Sequence, residues 1–239
     1  MLKVTNLSVE VAGKQILKNV NLEIPRGEVH VLFGPNGSGK SSLISTILGL
    51  ARFKVTRGKI TFKGKDITHT PINERAKLGI GIAFQNPPAI RGVKLRDVLQ
   101  AYSTGNGLVG LTRRLNVPME FLGRDLNLGF SGGEMKRSEV LQVIAQNPDF
   151  LMLDEPDSGV DVENLEIIGK AANDFLQRKS GLLITHMGHI LRYVEADRAH
   201  VMLNGRIACS GSPKETLELI LKRGYKECEK CLGRRKKQP

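Results

Sequence analysis

Gly34-Pro35-Asn36-Gly37-Ser38-Gly39-Lys40-Ser41 follows a strand-like apolar run at residues 28–33. Behind it Leu43, Ile44, Ile47 and Leu48 recur at helical spacing. A strand, a glycine-rich loop and a helix in that order make a phosphate-binding loop. Closely spaced glycines let consecutive backbone N–H groups turn inward around β- and γ-phosphates without side-chain clashes. Lys40 brings a positive charge to the same phosphates, and the Ser41 hydroxyl, with Ser42 beside it, is placed to meet Mg²⁺. The helix behind the loop points its positive dipole end at the anion. The octet predicts binding of a nucleoside triphosphate.

The rest of the chain bounds that reading. At 239 residues it can bury a sizeable core, and 40% apolar with 25% charged residues is ordinary for a soluble globular protein. No apolar stretch approaches the ~20 residues that span a bilayer, and Met1 leads straight into strand-like Leu2-Lys3-Val4. The expectation is a cytoplasmic protein without direct membrane insertion. A formal charge of +12 favours an anionic ligand or an acidic partner surface. Only 5% of residues are aromatic and no stacking platform with interleaved basic residues appears, so nucleic acid is not expected. Three cysteines, Cys209, Cys228 and Cys231, argue against a disulfide framework and for a reducing compartment.

Along the chain, residues 2–11 and 16–24 alternate apolar and polar around a turn at Ala12-Gly13-Lys14, which predicts an antiparallel hairpin. Short strands are expected at 58–63 and 80–84. Residues 91–127 read as loosely helical, interrupted by Ser103-Thr104-Gly105-Asn106-Gly107. A helix from 131 to about 146, a strand at 150–153, a helix at about 162–177 and a strand at 182–185 follow. A hairpin at about 200–209 and an amphipathic helix at 214–223 complete the pattern. Apolar strands alternating with helices indicate a mostly parallel α/β sheet covered on both faces. The expected organisation is one domain, 1–239, with an N-terminal antiparallel β subdomain, a helical insert at about 86–147 and a flexible basic tail from about 225.

Two more constellations carry chemistry. Phe150-Leu151-Met152-Leu153-Asp154-Glu155 is an apolar strand ending in two carboxylates. Neighbours at a strand end point different ways, so Asp154 can hold Mg²⁺ while Glu155 polarises a water for in-line attack. In Phe130-Ser131-Gly132-Gly133-Glu134, Ser131 and Glu134 form a capping box for the helix behind them. Gly132 and Gly133 add open N–H groups and room for a phosphate. The chain thus has two anion-binding helix starts for one triphosphate, and both can serve if a second copy supplies one of them.

The loop at 34–41, Gln85 after an apolar strand, Ser131-Gly132-Gly133-Glu134 and the 150–155 strand together resemble an ABC ATPase. So do Asp161, six residues past Glu155, and His186 closing the 182–185 strand. The resemblance covers nearly the whole chain. It implies the P-loop NTPase fold, ATP and Mg²⁺ as ligands, ATP hydrolysis, and two subunits packed head to tail around two ATP molecules. Each nucleotide would touch residues 34–42 of one subunit and 131–134 of the other. Ser41, Asp154 and Gln85 would attend the metal, Glu155 and Gln85 the attacking water, His186 the γ-phosphate, and Asp161 the opposing subunit.

Within that family the chain departs from the usual transporter pattern. It has Val11 where an adenine-stacking aromatic is common, and Lys136-Arg137-Ser138-Glu139-Val140-Leu141-Gln142 after the signature. It is more similar to the soluble ATPases of SUF iron–sulfur cluster assembly, the SufC group. The similar segments include Gly27-Glu28-Val29-His30, Ala83-Phe84-Gln85, Asn127-Leu128-Gly129-Phe130, Asp157-Ser158-Gly159-Val160-Asp161, His189-Ile190-Leu191 and Gly205-Arg206-Ile207. That resemblance implies soluble SufB- and SufD-type scaffold proteins as partners, docked near Gln85, where Asn86-Pro87-Pro88-Ala89-Ile90 reads as a rigid exposed turn. The alternative is the ATP-binding subunit of a membrane transporter. Cys228 and Cys231 lie outside the family pattern. They can supply half of a tetrahedral metal set, or be exposed reduced thiols, the reading we favour.

Overall fold

The computed structural model describes residues 1–102 and 106–229. Its antiparallel sheet holds β1 (Leu2–Val11), β2 (Lys14–Ile24), β4 (Lys54–Phe62) and β5 (Lys65–Asp66) in the order β2-β1-β4-β5. The central sheet also contains β3 (Val29–Phe33), β6 (Ile80–Ala83), β9 (Phe150–Asp154), β10 (Ser180–Ile184), β11 (Arg198–Leu203) and β12 (Arg206–Gly211). Its order is β12-β11-β3-β10-β9-β6, parallel throughout except for β12. A short antiparallel ribbon pairs β7 (Ile90–Lys94) with β8 (Asp125–Leu126). The helices are α1 (Lys40–Leu48), α2 (Ile72–Lys77), α3 (Leu95–Gln100), α4 (Asn106–Arg114), α5 (Gly132–Ala145), α6 (Val162–Leu176) and α7 (Pro213–Arg223).

Strand alternation explains why the central sheet sits in the middle. Val31, Phe33, Leu151, Leu153 and Leu183 join one apolar cluster with residues of α5 and α6. Their neighbours Leu32, Phe150, Met152, Leu182 and Ile184 join a second, with α1 and the antiparallel sheet. Strands buried on both faces need apolar residues at every position, and β3, β9 and β10 are buried along their whole length. Polar groups fasten the layer as well. His200 on β11 hydrogen-bonds His30 on β3 at 2.9 Å, with Ser210 at 2.7 Å on one side and Glu28 at 2.8 Å on the other. Burial, then the adjacent His30, pushes the His200 pKa down to about 3, so His200 stays uncharged.

Three expectations need correcting. Residues 91–127 are not helical throughout: the ribbon of β7 and β8 brackets α3 and α4, held by the Lys94–Asp125 ion pair at 2.7 Å. Four of the five β7 residues are exposed, so no burial alternation marks the strand in the sequence. The turn after Gln85 is not exposed throughout either. Pro87 is buried, and Asn127 Nδ2 donates to the Pro88 carbonyl at 2.9 Å. Cys228 is no exposed thiol; it is 1% exposed in the main core, with Tyr225 packed beside the same cluster. Cys231 and residues 103–105 lie outside the described residues.

Helix α2 was not legible in advance. It exists to place Arg75, which donates to the carbonyls of Thr46 and Ile47 at 2.8 and 2.7 Å and to those of Thr68 and Thr70. A cation on the last carbonyls of α1 is favourable to that helix's negative end.

Candidate nucleotide site

Four strands of the central sheet deliver the site at their carboxyl ends, as expected of an open α/β sheet. β3 ends at Phe33 and feeds Gly34; β10 lies beside it and leads to His186; β9 ends in Asp154 and β6 leads to Gln85. A cavity of about 630 Å³ there is lined by Asn36 through Ser42, Gln85, Glu155 and His186. Residues 131–134 and Asp161 do not line it.

The loop has the geometry of an anion cradle. Gly37 and Gly39 adopt φ of +75° and +107°, where L side chains are strained. A Cβ on Gly34 would fall 2.5 Å from the Met202 carbonyl and 2.6 Å from Ser38 Oγ. Helix α1 begins at Gly39 with no side-chain cap, leaving its first N–H groups to an outside acceptor. Ser38 Oγ is buried with no hydrogen-bond partner. Uncapped donors and an orphaned hydroxyl fit a bound phosphate.

Charge gathers at the far wall. Lys40 is 4% exposed; its Nζ donates to the Gly34 carbonyl at 2.8 Å and stands 3.7 Å from Glu155 Oε1. Burial lowers its pKa, opposed by Glu155 and Asp154. Gln85 Nε2 donates to Glu155 Oε2 at 2.6 Å, so both oxygens of this carboxylate face a partner. Glu155 itself sits at φ +49°, a conformation that costs roughly 1 kcal/mol or more for a non-glycine residue. Asp154 lies deeper and accepts from Ser41 Oγ at 3.4 Å. Burial, then the neighbouring Glu155, pushes its pKa up to about 6. A buried carboxyl held this way, with a hydroxyl beside it, is a donor set suited to a divalent cation.

The second glycine-bearing helix start, at α5, is built differently. Ser131 caps α5: its Oγ accepts from Glu134 N–H at 3.4 Å, and Glu134 accepts from Ser131 N–H at 2.7 Å. Gly132 faces open space apart from the Gly159 carbonyl. Gly133 has a packing reason that the sequence reading did not assign: a Cβ there would fall 2.5 Å from Asn164 Nδ2 on α6. Asp161 caps α6, accepting from Asn164 N–H and from its side-chain amide.

The geometry adds residues that sequence reasoning missed. Asp157 accepts from Thr185 Oγ1 at 2.7 Å, and Thr185 accepts from Gly188 N–H, which fixes the turn carrying His186. Lys136 is 8% exposed and donates to the carbonyls of Phe84 and Glu155 at 3.2 and 3.4 Å, tying the two segments that carry Gln85 and Glu155. Its position one turn into a signature helix was visible; its burial was not.

Comparison with known proteins shows the family. The ABC transporter family profile matches residues 17–158. The chain belongs to the ABC transporter ATPase family. It is 40% identical to vegetative protein 296 of Bacillus subtilis (strain 168), covering 97% of this chain and 94% of that one. It is 41% identical to the probable ATP-dependent transporter ycf16 of Cyanophora paradoxa, over 94% and 93%. Among solved structures, the ADP conformation of MJ1267, an ATP-binding cassette of an ABC transporter, matches with a TM-score of 0.77 at 26% identity, covering 96% of this chain and 98% of that one. The fold is that of an ABC ATPase cassette and the chain is an ATP-binding one. Among the described residues no helix of this cassette is long and apolar enough to cross a membrane.

Proposed function

We propose that this cassette is a Mg²⁺-dependent ATP hydrolase that closes as a homodimer around ATP. In the SufC manner, the closure would move soluble SufB- and SufD-type scaffold proteins during iron–sulfur cluster assembly in the cytoplasm. The observation that carries the hydrolytic reading is the cluster of Lys40, Gln85 and Glu155, with Gln85 on Glu155 at 2.6 Å and Lys40 at 3.7 Å. Residues 34–42 bind the phosphates, and phosphate oxygens draw the Lys40 ammonium off Glu155. Ser41 and Asp154 would hold Mg²⁺, with the Gln85 side-chain oxygen as a further ligand; the metal would supply charge stabilisation at the transferred phosphoryl group. Glu155, released by Lys40, orients and accepts a proton from the attacking water while Gln85 keeps it aimed. His186 donates to the γ-phosphate. Residues 131–134 and Asp161, standing outside the cavity, act on the nucleotide of the partner subunit, so half of the positioning groups arrive only on closure.

The scaffold reading rests on the SUF-like segments, including Gly27-Glu28-Val29-His30 and the helix from Lys136 to Gln142. A second reading, the energising subunit of a membrane transporter, is supported by relatives whose names say ATP-dependent transporter or ABC transporter ATP-binding protein. Affinity purification with the tagged chain separates them. Soluble β-helical scaffolds among the captured proteins support the first; integral membrane proteins in their place overturn it.

A further inference from the structure

Ser38 Oγ has a counterpart behind the phosphate loop. Tyr225 stands in the turn after α7, and its Oη is buried with no hydrogen-bond partner among the described residues. The Gly34 N–H is directed at this oxygen without closing a hydrogen bond to it. Burial raises the Tyr225 pKa, opposed by that N–H, so the group stays a neutral phenol. Tyr225 is not among the residues that line the nucleotide cavity. What it does for a bound nucleotide it must do through Gly34, the first residue of the loop.

The phenol is held firmly in that place. Tyr225 packs beside the main core cluster, in which Cys228 is 1% exposed. Gly224 N–H donates to the Ile220 carbonyl at 2.8 Å and Glu229 N–H to the Tyr225 carbonyl at 3.2 Å, so the chain after α7 is a hydrogen-bonded turn. The same C-terminal unit backs a second part of the site. A Cβ on Gly188, in the turn after His186, would fall 2.6 Å from Leu217 on α7.

A buried hydroxyl without a partner is unfavourable unless another arrangement of the molecule satisfies it. Lys40 Nζ donates to the carbonyls of Gly34 and Pro35 at 2.8 and 3.2 Å. Phosphate oxygens that draw the ammonium away release both carbonyls, and the start of the loop must settle again. Gly34 is hemmed in on one face, where a Cβ would meet the Met202 carbonyl at 2.5 Å and Ser38 Oγ at 2.6 Å. The unmatched Tyr225 hydroxyl is an acceptor onto which its N–H can move. We propose that Tyr225 is a positioning residue for nucleotide capture. Its Oη accepts the Gly34 N–H when the loop closes on phosphate, and it holds the loop's first residue after Lys40 has let go. The proposal rests on the phosphate role given above to residues 34–42.

Tyr225→Phe in the full chain tests this, because it removes the Oη and keeps the ring. With no hydrogen bond to lose, its melting temperature without nucleotide should stay within about 2 °C of wild type or rise. Calorimetry should show Mg-ATP bound about fivefold more weakly, the scale of one hydrogen bond. KM for ATP should rise by the same factor with kcat unchanged, the signature of lost binding rather than lost chemistry. Tyr225→Leu, which also removes the ring, should lose stability as well, and so separates packing from positioning. ATP affinity of Tyr225→Phe within about twofold of wild type overturns the inference and leaves the nucleotide site standing. A loss confined to kcat overturns it likewise. Failure of the unmodified chain to bind Mg-ATP removes both the inference and the phosphate role on which it rests.

Discussion

Two helix starts in this molecule, at α1 and at α5, deal with their bare N–H groups in opposite ways. Helix α1 begins at Gly39, left-handed and uncapped, beneath an orphaned Ser38 hydroxyl. Helix α5 begins at Ser131 with a complete capping box, both hydrogen bonds present. The first is unfinished without a phosphate; the second is satisfied alone and stands outside the cavity. On the function proposed above, the α1 end would capture nucleotide within one chain, and the α5 end would keep its shape until a nucleotide is carried to it.

The sharpest way to probe that division is to stop the chemistry while leaving capture intact. Glu155→Gln preserves the Gln85 and Lys40 geometry but removes the base. We expect ATP binding within a few-fold of wild type, hydrolysis reduced by about 10²–10⁴, and an ATP-bound dimer in size-exclusion chromatography. Hydrolysis at the unmodified rate assigns the base elsewhere. Next in size, Lys40→Ala removes the buried cation from the α1 end. ATP affinity measured by calorimetry should fall by about 100-fold, and a loss of less than about threefold breaks the claim that capture resides there.

Asp154→Asn tests the wall between the two. The carboxyl ionises near pH 6 in the folded chain against 3.8 unfolded, so its charge opposes folding above pH 6. This contribution eases as pH falls from 6 toward 4. Asparagine should therefore raise the stability of the nucleotide-free chain at pH 8 by something on the order of 2 kcal/mol while abolishing Mg²⁺-dependent turnover. Denaturant titrations at pH 5 and pH 8 check the sign: the gain must shrink at pH 5. The smallest expected effect is at the other helix. Ser131→Ala should cost about 1 kcal/mol of stability and leave ATP capture by the single chain unchanged in calorimetry, with turnover reduced. A loss of capture matching Lys40→Ala would erase the distinction between the two starts.

The α1 end was legible because its chemistry is local: eight consecutive residues fix both the backbone path and the charge. The Asp154–Glu155 strand end was legible for the same reason. What could not be read depends on distant contacts. Gly133 accommodates Asn164, 31 positions away by number, and nothing in Ser131-Gly132-Gly133-Glu134 announces that neighbour. Lys136 reads as a solvated helical lysine until Phe84 and Glu155 are folded against it. The ribbon of β7 and β8 escaped because its residues are mostly exposed and carry no alternation. Cys228 escaped because it follows Gly224, where a charged sequence suggests an end, while packing supplies a seat in the core.

The interlock of Gly133 with Asn164, together with the hold of Asn164 on Asp161, has a mechanical consequence. The tips of two helices are bolted into one stiff prong, and Gly159 abuts that prong only two residues past Asp157, the brace behind His186. Displacing the prong would therefore strain the turn that carries His186 through a few short, rigid links.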